Sequence, residues 1–366
     1  MTMDDPALDL AVEPNPTPLA ATERDALLAE PGFGRVFTDH MATATWTASD
    51  GWNDATIRPY GPLSLDPATS VLHYGQAIFE GFKAYAQPDG SVVTFRPEQN
   101  ARRFQRSATR LALPALPVDW FVGMADALIR TDRAWVPTGG EASLYLRPFM
   151  LGTEVGLGVR PSNEASFVLI ASPAGAYFAG GVKPVTIWLS EEYVRASPGG
   201  TGSAKCAGNY AASLIAQQEA IANGCDQVAF VDAVERRWVE ELGGMNLFFV
   251  HDDGSIVTPE LSGTILEGVT RDALLTLAGE LGHKVEERRV DVKEWQEGVA
   301  SGRVSEVFAC GTAAVITPVG TLRWGGGEVV TGDGGTGPVT AKLRAALLDI
   351  QQGRTPDTHG WLHRVC

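Results

Sequence analysis

The sequence predicts an α+β protein of two domains, and three observations lead there. The chain has 366 residues, enough for two separately packed cores. Strand-like and helical runs between residues 31 and 172 make up a smaller α+β unit. A stretch rich in glycine and alanine follows over 173–184, after which strands and helices resume from 185 to 366 as a larger α/β unit.

Residues 1–30 are expected to form a flexible arm, because Pro14, Pro16 and Pro18 oppose regular structure. Order is expected from residues 33–41, with strand character continuing over 43–46. Residues 75–85 and 91–95 read as two strands around the Asp89-Gly90 turn. Pro97 stands at the first position of a helix that runs through Arg103, Phe104 and Leu111, and a second helix extends from Asp119 to Trp135. Strands at 142–147 and 166–170 complete the first unit.

In the second half a strand at 185–189 precedes a helix on which Ala211, Leu214, Ile215, Ile221 and Ala222 recur at helical spacing. Gly224 stands where a C′ glycine belongs. Strands at 227–231 and 304–309, a hairpin at Asp253-Gly254, a helix from Asp272 to Gly282 and a last helix from Pro338 follow. The glycines at 325–327 and 332–337 lack a following Gly-Lys-Ser/Thr and read as a long loop, not a P-loop.

Hydrophobic content of 44% and charged content of 20% are those of a soluble globular chain, and a net charge of −15 argues against nucleic acid or an anionic membrane as partner. Cys206, Cys225, Cys310 and Cys366 are spread out and read as reduced thiols. The histidines show no metal-binding spacing, so no metal is expected. Arg24 is the one basic residue in 1–30, which argues against a transit peptide, and no apolar run reaches the length of a membrane span. The cytoplasm is the expected compartment.

The chemistry centres on residues 202–210, Gly-Ser-Ala-Lys-Cys-Ala-Gly-Asn-Tyr. Lys205 lies among small residues that feed a helix. A partly desolvated lysine with few charged neighbours has a lowered pKa and condenses with aldehydes, as a pyridoxal-phosphate enzyme requires. Such an enzyme also needs an acid for the pyridine nitrogen, donors for the phosphate and a carboxylate pocket. Glu241, just before two glycines, offers the acid, which strengthens the ring as an electron sink. Gly268-Val269-Thr270 at a helix start offers backbone N–H groups, a hydroxyl and the positive end of the dipole. The small-residue turn 311–314 offers further backbone donors, and Arg103 a charge-assisted contact. Each alone has an ordinary reading: a surface lysine or glutamate, an N-terminal turn, one of several solvated arginines. Their joint occurrence makes the case.

Together the motifs resemble the branched-chain amino acid aminotransferases, in the fold-type-IV (D-amino acid aminotransferase-like) group of pyridoxal-phosphate enzymes. The resemblance runs from Phe33 to Trp361 and includes FTDHM (37–41), LHYGQAIFEGFKAY (72–85), RSATRL (106–111), LYLRP (144–148), KCAGNY (205–210), ELGGMNLFFV (241–250), TILEGVTRD (264–272) and CGTAAVITPVG (310–320). It implies a two-domain homodimer that transaminates leucine, isoleucine and valine with 2-oxoglutarate by a ping-pong route. Lys205 would form the internal aldimine with pyridoxal 5′-phosphate and then act as the base. Tyr210 would bind the phenolic oxygen and Glu241 the ring nitrogen. Arg103, Val269, Thr270 and Thr312 would hold the phosphate. Tyr145 and the Thr312–Ala313 backbone would take the substrate α-carboxylate, and Arg147 the side-chain carboxylate of glutamate. Phe33, Tyr74, Phe79, Val159 and Tyr177 would line the side-chain pocket, with Tyr74 and Val159 supplied by the partner subunit.

The chain departs from the pattern in two places. Ala314 and Thr317 stand where animal mitochondrial relatives carry a redox CxxC, so no thiol switch is expected; Gly244 stands where relatives often have threonine. D-amino acid transamination and aminodeoxychorismate lyase action on the same fold are the alternatives, with a cofactor-free binding protein a more distant one.

Overall fold

The computed structural model describes residues 7–175 and 182–366. The chain divides into two compact units, one made of Met1–Tyr177, Ala204–Ala207 and Ile350–Cys366, the other of Phe178–Ser203 and Gly208–Asp349. Each is a sheet with helices, the α+β composition expected. The division is not contiguous in sequence, however: the short segment that carries Lys205 and the C-terminal tail both belong to the first unit.

The first unit contains β1 (Leu10–Val12), α1 (Ala21–Ala29), β2 (His40–Thr47), β3 (Gly51–Pro59), α2 (Ser70–Tyr74), β4 (Ala77–Phe79), β5 (Phe82–Ala86), β6 (Val92–Phe95), α3 (Pro97–Arg110), α4 (Val118–Thr131), β7 (Ser143–Gly152) and β8 (Glu164–Ala174). Its nine-stranded sheet runs β1-β3-β2-β8-β7-β5-β6 and ends on the C-terminal strand Leu362–Arg364, with β4 beside β7. The core is aromatic: Phe104 of α3 lies 5.5 Å from Phe121 of α4 and 5.7 Å from Phe167 of β8. Helix α3 packs through Ala101, Phe104 and Ala108, but its buried residues also include Asn100, Arg103 and Ser107. An apolar stripe at helical spacing explains the packing. The buried polar residues on the same helix need partners, and they supply the site described below.

Two sequence expectations change here. Residues 1–30 are not a loose arm throughout: β1 pairs in parallel with β3, and α1 follows. The prolines fall between these two elements. There the chain is tied down by Asn15 N–H donating to His40 Nε2 (2.9 Å) and Leu19 N–H to Asp39 Oδ1 (2.9 Å), while Asp132 holds His40 Nδ1 at 2.7 Å. Residues 75–85 are also not one strand. They break between β4 and β5 at Glu80-Gly81, where the Glu80 carboxylate accepts from the Gly81 N–H (3.2 Å) and leaves the strand pattern.

The second unit contains β9 (Val185–Leu189), α5 (Ala207–Ala222), β10 (Gln227–Val231), β11 (Val239–Leu242), β12 (Asn246–His251), β13 (Ile256–Thr258), α6 (Val269–Glu280), β14 (Val285–Glu287), α7 (Val292–Ser301), β15 (Val304–Gly311), β16 (Val315–Trp324), β17 (Gly327–Val330) and α8 (Pro338–Gln351), the ends of α5 and α8 passing into the first unit. The sheet order is β11-β10-β9-β16-β15-β12-β13-β14, with β17 beside β16. Pairing of Glu241 with Asn246 joins β11 to β12 as well, so six strands close on themselves. Trp295 of α7 is fully buried and meets Phe249 edge-on at 5.2 Å. The glycines at 325–327 make the tight β16–β17 turn, with Trp324 paired to Gly327, instead of a long loop.

Candidate active site

In the first unit Lys205 is fixed by its backbone. Its N–H donates to Ser107 Oγ on α3 (2.9 Å), its carbonyl accepts from Phe79 N–H on β4 (3.0 Å), and Cys206 bridges to Ile78. The side chain is half-buried, with Nζ 4.8 Å from the centre of the Phe79 ring. Arg147 on β7 approaches the same ring, its guanidinium carbon 4.9 Å from the centroid, and lies 5.3 Å from the Tyr145 ring. One Arg147 nitrogen donates to Tyr145 Oη at 3.0 Å, and Phe33 meets Tyr145 edge-on at 5.1 Å. Phe33, Phe79, Tyr145, Arg147 and Lys205 therefore form one cluster: two cations on one aromatic ring, each attracted by its quadrupole. Gly81 makes room for it, since a Cβ there would lie 2.0 Å from Tyr145 Oη.

Arg103, 5% exposed, grips Glu80 with both prongs, Nε to Oε1 at 2.6 Å and NH2 to Oε2 at 2.9 Å. Glu80 is wholly buried and also accepts from Asn100 Nδ2 at 2.8 Å. Burial alone would raise its pKa, but the Arg103 charge and hydrogen bonds, the Lys205 charge and the Asn100 contact outweigh it and hold the carboxyl below its usual range. The sequence reading missed Glu80. Its signal was an acid inside the apolar run Ile78-Phe79-Glu80-Gly81-Phe82.

In the second unit Glu241 on β11 is 1% exposed. Its Oε1 accepts from Leu266 N–H (2.7 Å) and lies 2.8 Å from Arg195 NH1. The Arg195 side chain is equally buried, and NH1 also reaches the carbonyls of Thr264 (3.1 Å) and Gly202 (3.3 Å), while Nε and NH2 have no partner. Arg195, too, was missed: it precedes the Pro198-Gly199-Gly200 loop, where no periodicity marks it as buried.

Tyr210 lies in the first turn of α5. A Cβ on Gly244 would sit 3.5 Å from its ring, an ordinary contact, so a threonine there would touch Tyr210 without clashing. Val269 and Thr270 open α6 behind Gly268, which has no side-chain cap. A Cβ at Gly268 would fall 2.1 Å from Asn246 Oδ1, and Asn246 Nδ2 donates to the Leu266 carbonyl at 3.0 Å. Thr312 and Ala313 form the turn between β15 and β16, ahead of Val315 at φ 61°. Burial pushes the neighbouring Cys310 thiol far up, with Arg271 opposing and Glu241 adding to it.

Tyr74 and Val159 are exposed, 42% and 84%, with the Tyr74 hydroxyl donating to the Leu157 carbonyl. Tyr177 falls outside the described residues. Among the described residues no group of histidine, cysteine, aspartate or glutamate is placed to hold a metal, and no helix is long and apolar enough to cross a membrane.

The family model for class IV amino-transferases matches residues 77–322. A probable branched-chain-amino-acid aminotransferase of Streptomyces coelicolor is 63% identical over 364 residues, covering 99% of this chain and 100% of the relative. The solved structure of the Escherichia coli branched-chain amino acid aminotransferase superposes with a TM-score of 0.74 at 30% identity, covering 89% of this chain and 100% of that one. The branched-chain amino acid aminotransferase of Thermobaculum terrenum, solved in its PLP-bound holo form, gives 0.74 at 26% identity, covering 90% and 98%. With the family model matching most of the chain and full-length identity at the level of the Streptomyces relative, the chain belongs to the branched-chain-amino-acid aminotransferases of the class IV amino-transferase family.

Proposed function

We propose that the chain transfers amino groups reversibly between branched-chain L-amino acids and 2-oxoglutarate, with pyridoxal 5′-phosphate as its resident cofactor. The observation that carries the reading is the half-buried Lys205 amine sharing the Phe79 ring with Arg147. The residues suit the cofactor chemically. Helix α6 starts without a side-chain cap beside the buried Thr270, as a phosphate site requires, and a buried carboxylate at Glu241 matches a protonated ring nitrogen. Arg103, the Val269 backbone, Thr270 and Thr312 would hold the phosphate, Tyr210 the phenolic oxygen and Glu241 the ring nitrogen. When bound, the cofactor supplies the electron sink that makes the substrate Cα–H acidic. Lys205 Nζ takes that proton and returns it.

The substrate side follows the same logic. Tyr145 and the Thr312–Ala313 backbone receive the α-carboxylate. Phe33, Phe79, Tyr177 and, from a partner subunit, Tyr74 and Val159 form the apolar wall. Burial against such a wall is worth about 25 cal/mol per Å² for a leucine side chain. Glutamate must enter the same wall with its charge paired, and the planar fork of Arg147 suits that carboxylate better than a lysine would.

A homodimer is supported by Leu72, Tyr74, Val155, Leu157 and Val159, all between 42% and 84% exposed, on segments joined by the Thr69–Val155 bridge and the Tyr74–Leu157 bond. The four cysteines are free, which supports a reducing compartment, and the reading places the enzyme in the cytoplasm.

The test is spectroscopic. L-leucine should bleach the visible band of the purified holoprotein and 2-oxoglutarate should restore it, while Lys205→Ala should show neither change. A band indifferent to leucine would overturn the substrate assignment.

A further inference from the structure

Asn100, Arg103 and Ser107 stand three and four residues apart on α3, along one face of the helix, and all three are buried. Each polar side chain on that face therefore needs a partner. Asn100 and Arg103 hold the Glu80 carboxylate at the break between β4 and β5. Ser107 lies one turn beyond Arg103 and is fully buried, and its Oγ accepts the Lys205 N–H at 2.9 Å.

That bond replaces a strand contact. Phe79 N–H donates to the Lys205 carbonyl (3.0 Å), and Ile78 and Cys206 form an antiparallel bridge. A ladder carried one step further would return the Lys205 N–H to the Phe79 carbonyl, because residues opposed in a hydrogen-bonded pair exchange both bonds. The N–H goes to the Ser107 hydroxyl instead. The ladder ends at Lys205, and a side chain from α3 takes the place of the strand. Ala204 and Cys206 on either side are 2% and 3% exposed, so the main chain here is shut off from water while the lysine side chain is half-buried. Without Ser107 the Lys205 amide would have no solvent to turn to.

A lysine amine rides on a flexible four-carbon stem, so its reach is only as well defined as the main chain beneath it. In the proposed reaction Nζ takes a proton from the substrate Cα and returns it, and a misplacement of about 1 Å at a reacting group costs about 10²-fold in rate. We propose that Ser107 is a positioning residue for amino transfer: its hydroxyl fixes the Lys205 main chain, and with it the point from which Nζ reaches the substrate carbon. This rests on the role proposed for Lys205, through which Ser107 acts. The same helix then carries Arg103 and the anchor of the lysine one turn apart, about 6 Å along its axis.

Ser107→Ala removes the acceptor and little else. The test uses full-length, pyridoxal-phosphate-loaded protein in which lysine alone is isotope-labelled, with the Lys205 amide resonance identified by Lys205→Arg. In Ser107→Ala that amide should exchange with solvent at least about tenfold faster than in the parent, while the amide of Lys83, on β5 between β7 and β6, keeps its rate. With L-leucine, kcat should fall by about ten- to a hundredfold and KM should stay within about twofold, because Tyr145 and Arg147 are untouched. Ser107→Thr keeps the acceptor and should bring kcat back to within about threefold of the parent. Should the added methyl prevent folding, the alanine variant decides alone. The proposal is overturned if Ser107→Ala turns over at the parent's rate, or if its KM rises with kcat unchanged. Faster exchange at Lys83 and Lys205 together, a general loosening, overturns it too, as does a folded threonine variant as slow as the alanine one. A parent inactive toward leucine overturns the functional reading and this proposal with it; an active parent beside an unimpaired Ser107→Ala overturns this proposal alone.

Discussion

Each unit buries one arginine against one glutamate, and the two pairs are built in opposite senses. In the first, the anion is saturated: Glu80 takes two prongs of Arg103, the Asn100 amide and the Gly81 N–H. In the second, the cation is under-used: Arg195 reaches Glu241 through NH1, and its Nε and NH2 lack partners. In the proposed roles the ligand-facing member is the arginine in one unit and the glutamate in the other. Its counter-ion in each case is the residue the sequence reading missed. Glu80 lies inside the 72–85 motif and Arg195 outside every motif, and in both cases the pairing becomes visible only through packing.

Breaking either pair from one side should give the largest effects. Glu80→Leu strands a buried guanidinium together with Asn100 and the Gly81 N–H. Arg195→Leu leaves a buried carboxylate that keeps its bond from Leu266 N–H. Removing one partner of a buried pair costs about 3–5 kcal/mol. Urea unfolding should place both variants in that range, with Glu80→Leu the worse. The opposite order would break the comparison.

Replacing both members should cost far less. An apolar pair of similar volume is often neutral relative to a buried ion pair, so Glu80→Leu/Arg103→Met should return to within about 2 kcal/mol of the parent, and Glu241→Leu/Arg195→Met likewise. In the proposed roles neither double variant should retain pyridoxal phosphate on dialysis. A stable double variant that keeps the cofactor would remove Arg103 or Glu241 from the site.

Acid and base sides can be read separately. The lowered pKa of Glu80 contributes stability that is present above its unfolded value of 4.5 and is lost as pH falls through the folded value. Glu240 has the opposite sign: with its folded pKa raised above 4.5, stability is lost as pH rises from 4.5 through the folded value. The deficit of Glu80→Gln should therefore shrink toward acid. Glu240→Gln, which keeps an acceptor for Thr264 without an ionisable group, should gain on the parent as pH rises. Urea midpoints between about pH 2.5 and pH 8 check both slopes.

Local signals made much of this legible. Pro97 at the start of α3, the apolar periodicity of α5 and the Asp253-Gly254 turn are all encoded within a few residues, and the KCAGNY segment announces Lys205. The rest depends on distant contacts. Lys205 joins the first unit because its backbone binds Ser107, 98 residues away, and the Phe79 strand. The stretch between β1 and α1 is held through Asp39 and His40. Residues 75–85 read as one strand because the apolar pattern continues through Glu80, whereas at the break the Glu80 carboxylate is met by Arg103 and Asn100, far along the chain.

The smallest effect belongs to a third pair with the same fork in a wetter place. Arg288 grips Glu294 with two prongs, NH1 to Oε2 at 3.0 Å and NH2 to Oε1 at 2.6 Å, nearly the geometry of Arg103 on Glu80. The side chains are 38% and 32% exposed, against 5% and 0% for the first pair. Water and salt screen the charges and solvate whichever partner remains, so Glu294→Gln should cost less than about 1 kcal/mol and lose most of that in high salt. Measured beside Glu80→Gln under the same conditions, it separates geometry from burial. Equal losses would mean that the bidentate fork itself sets the energy. A several-fold smaller loss at Glu294 would assign the strength of the Arg103–Glu80 pair to the absence of water around it, the same condition that keeps the Arg103 side chain in one orientation.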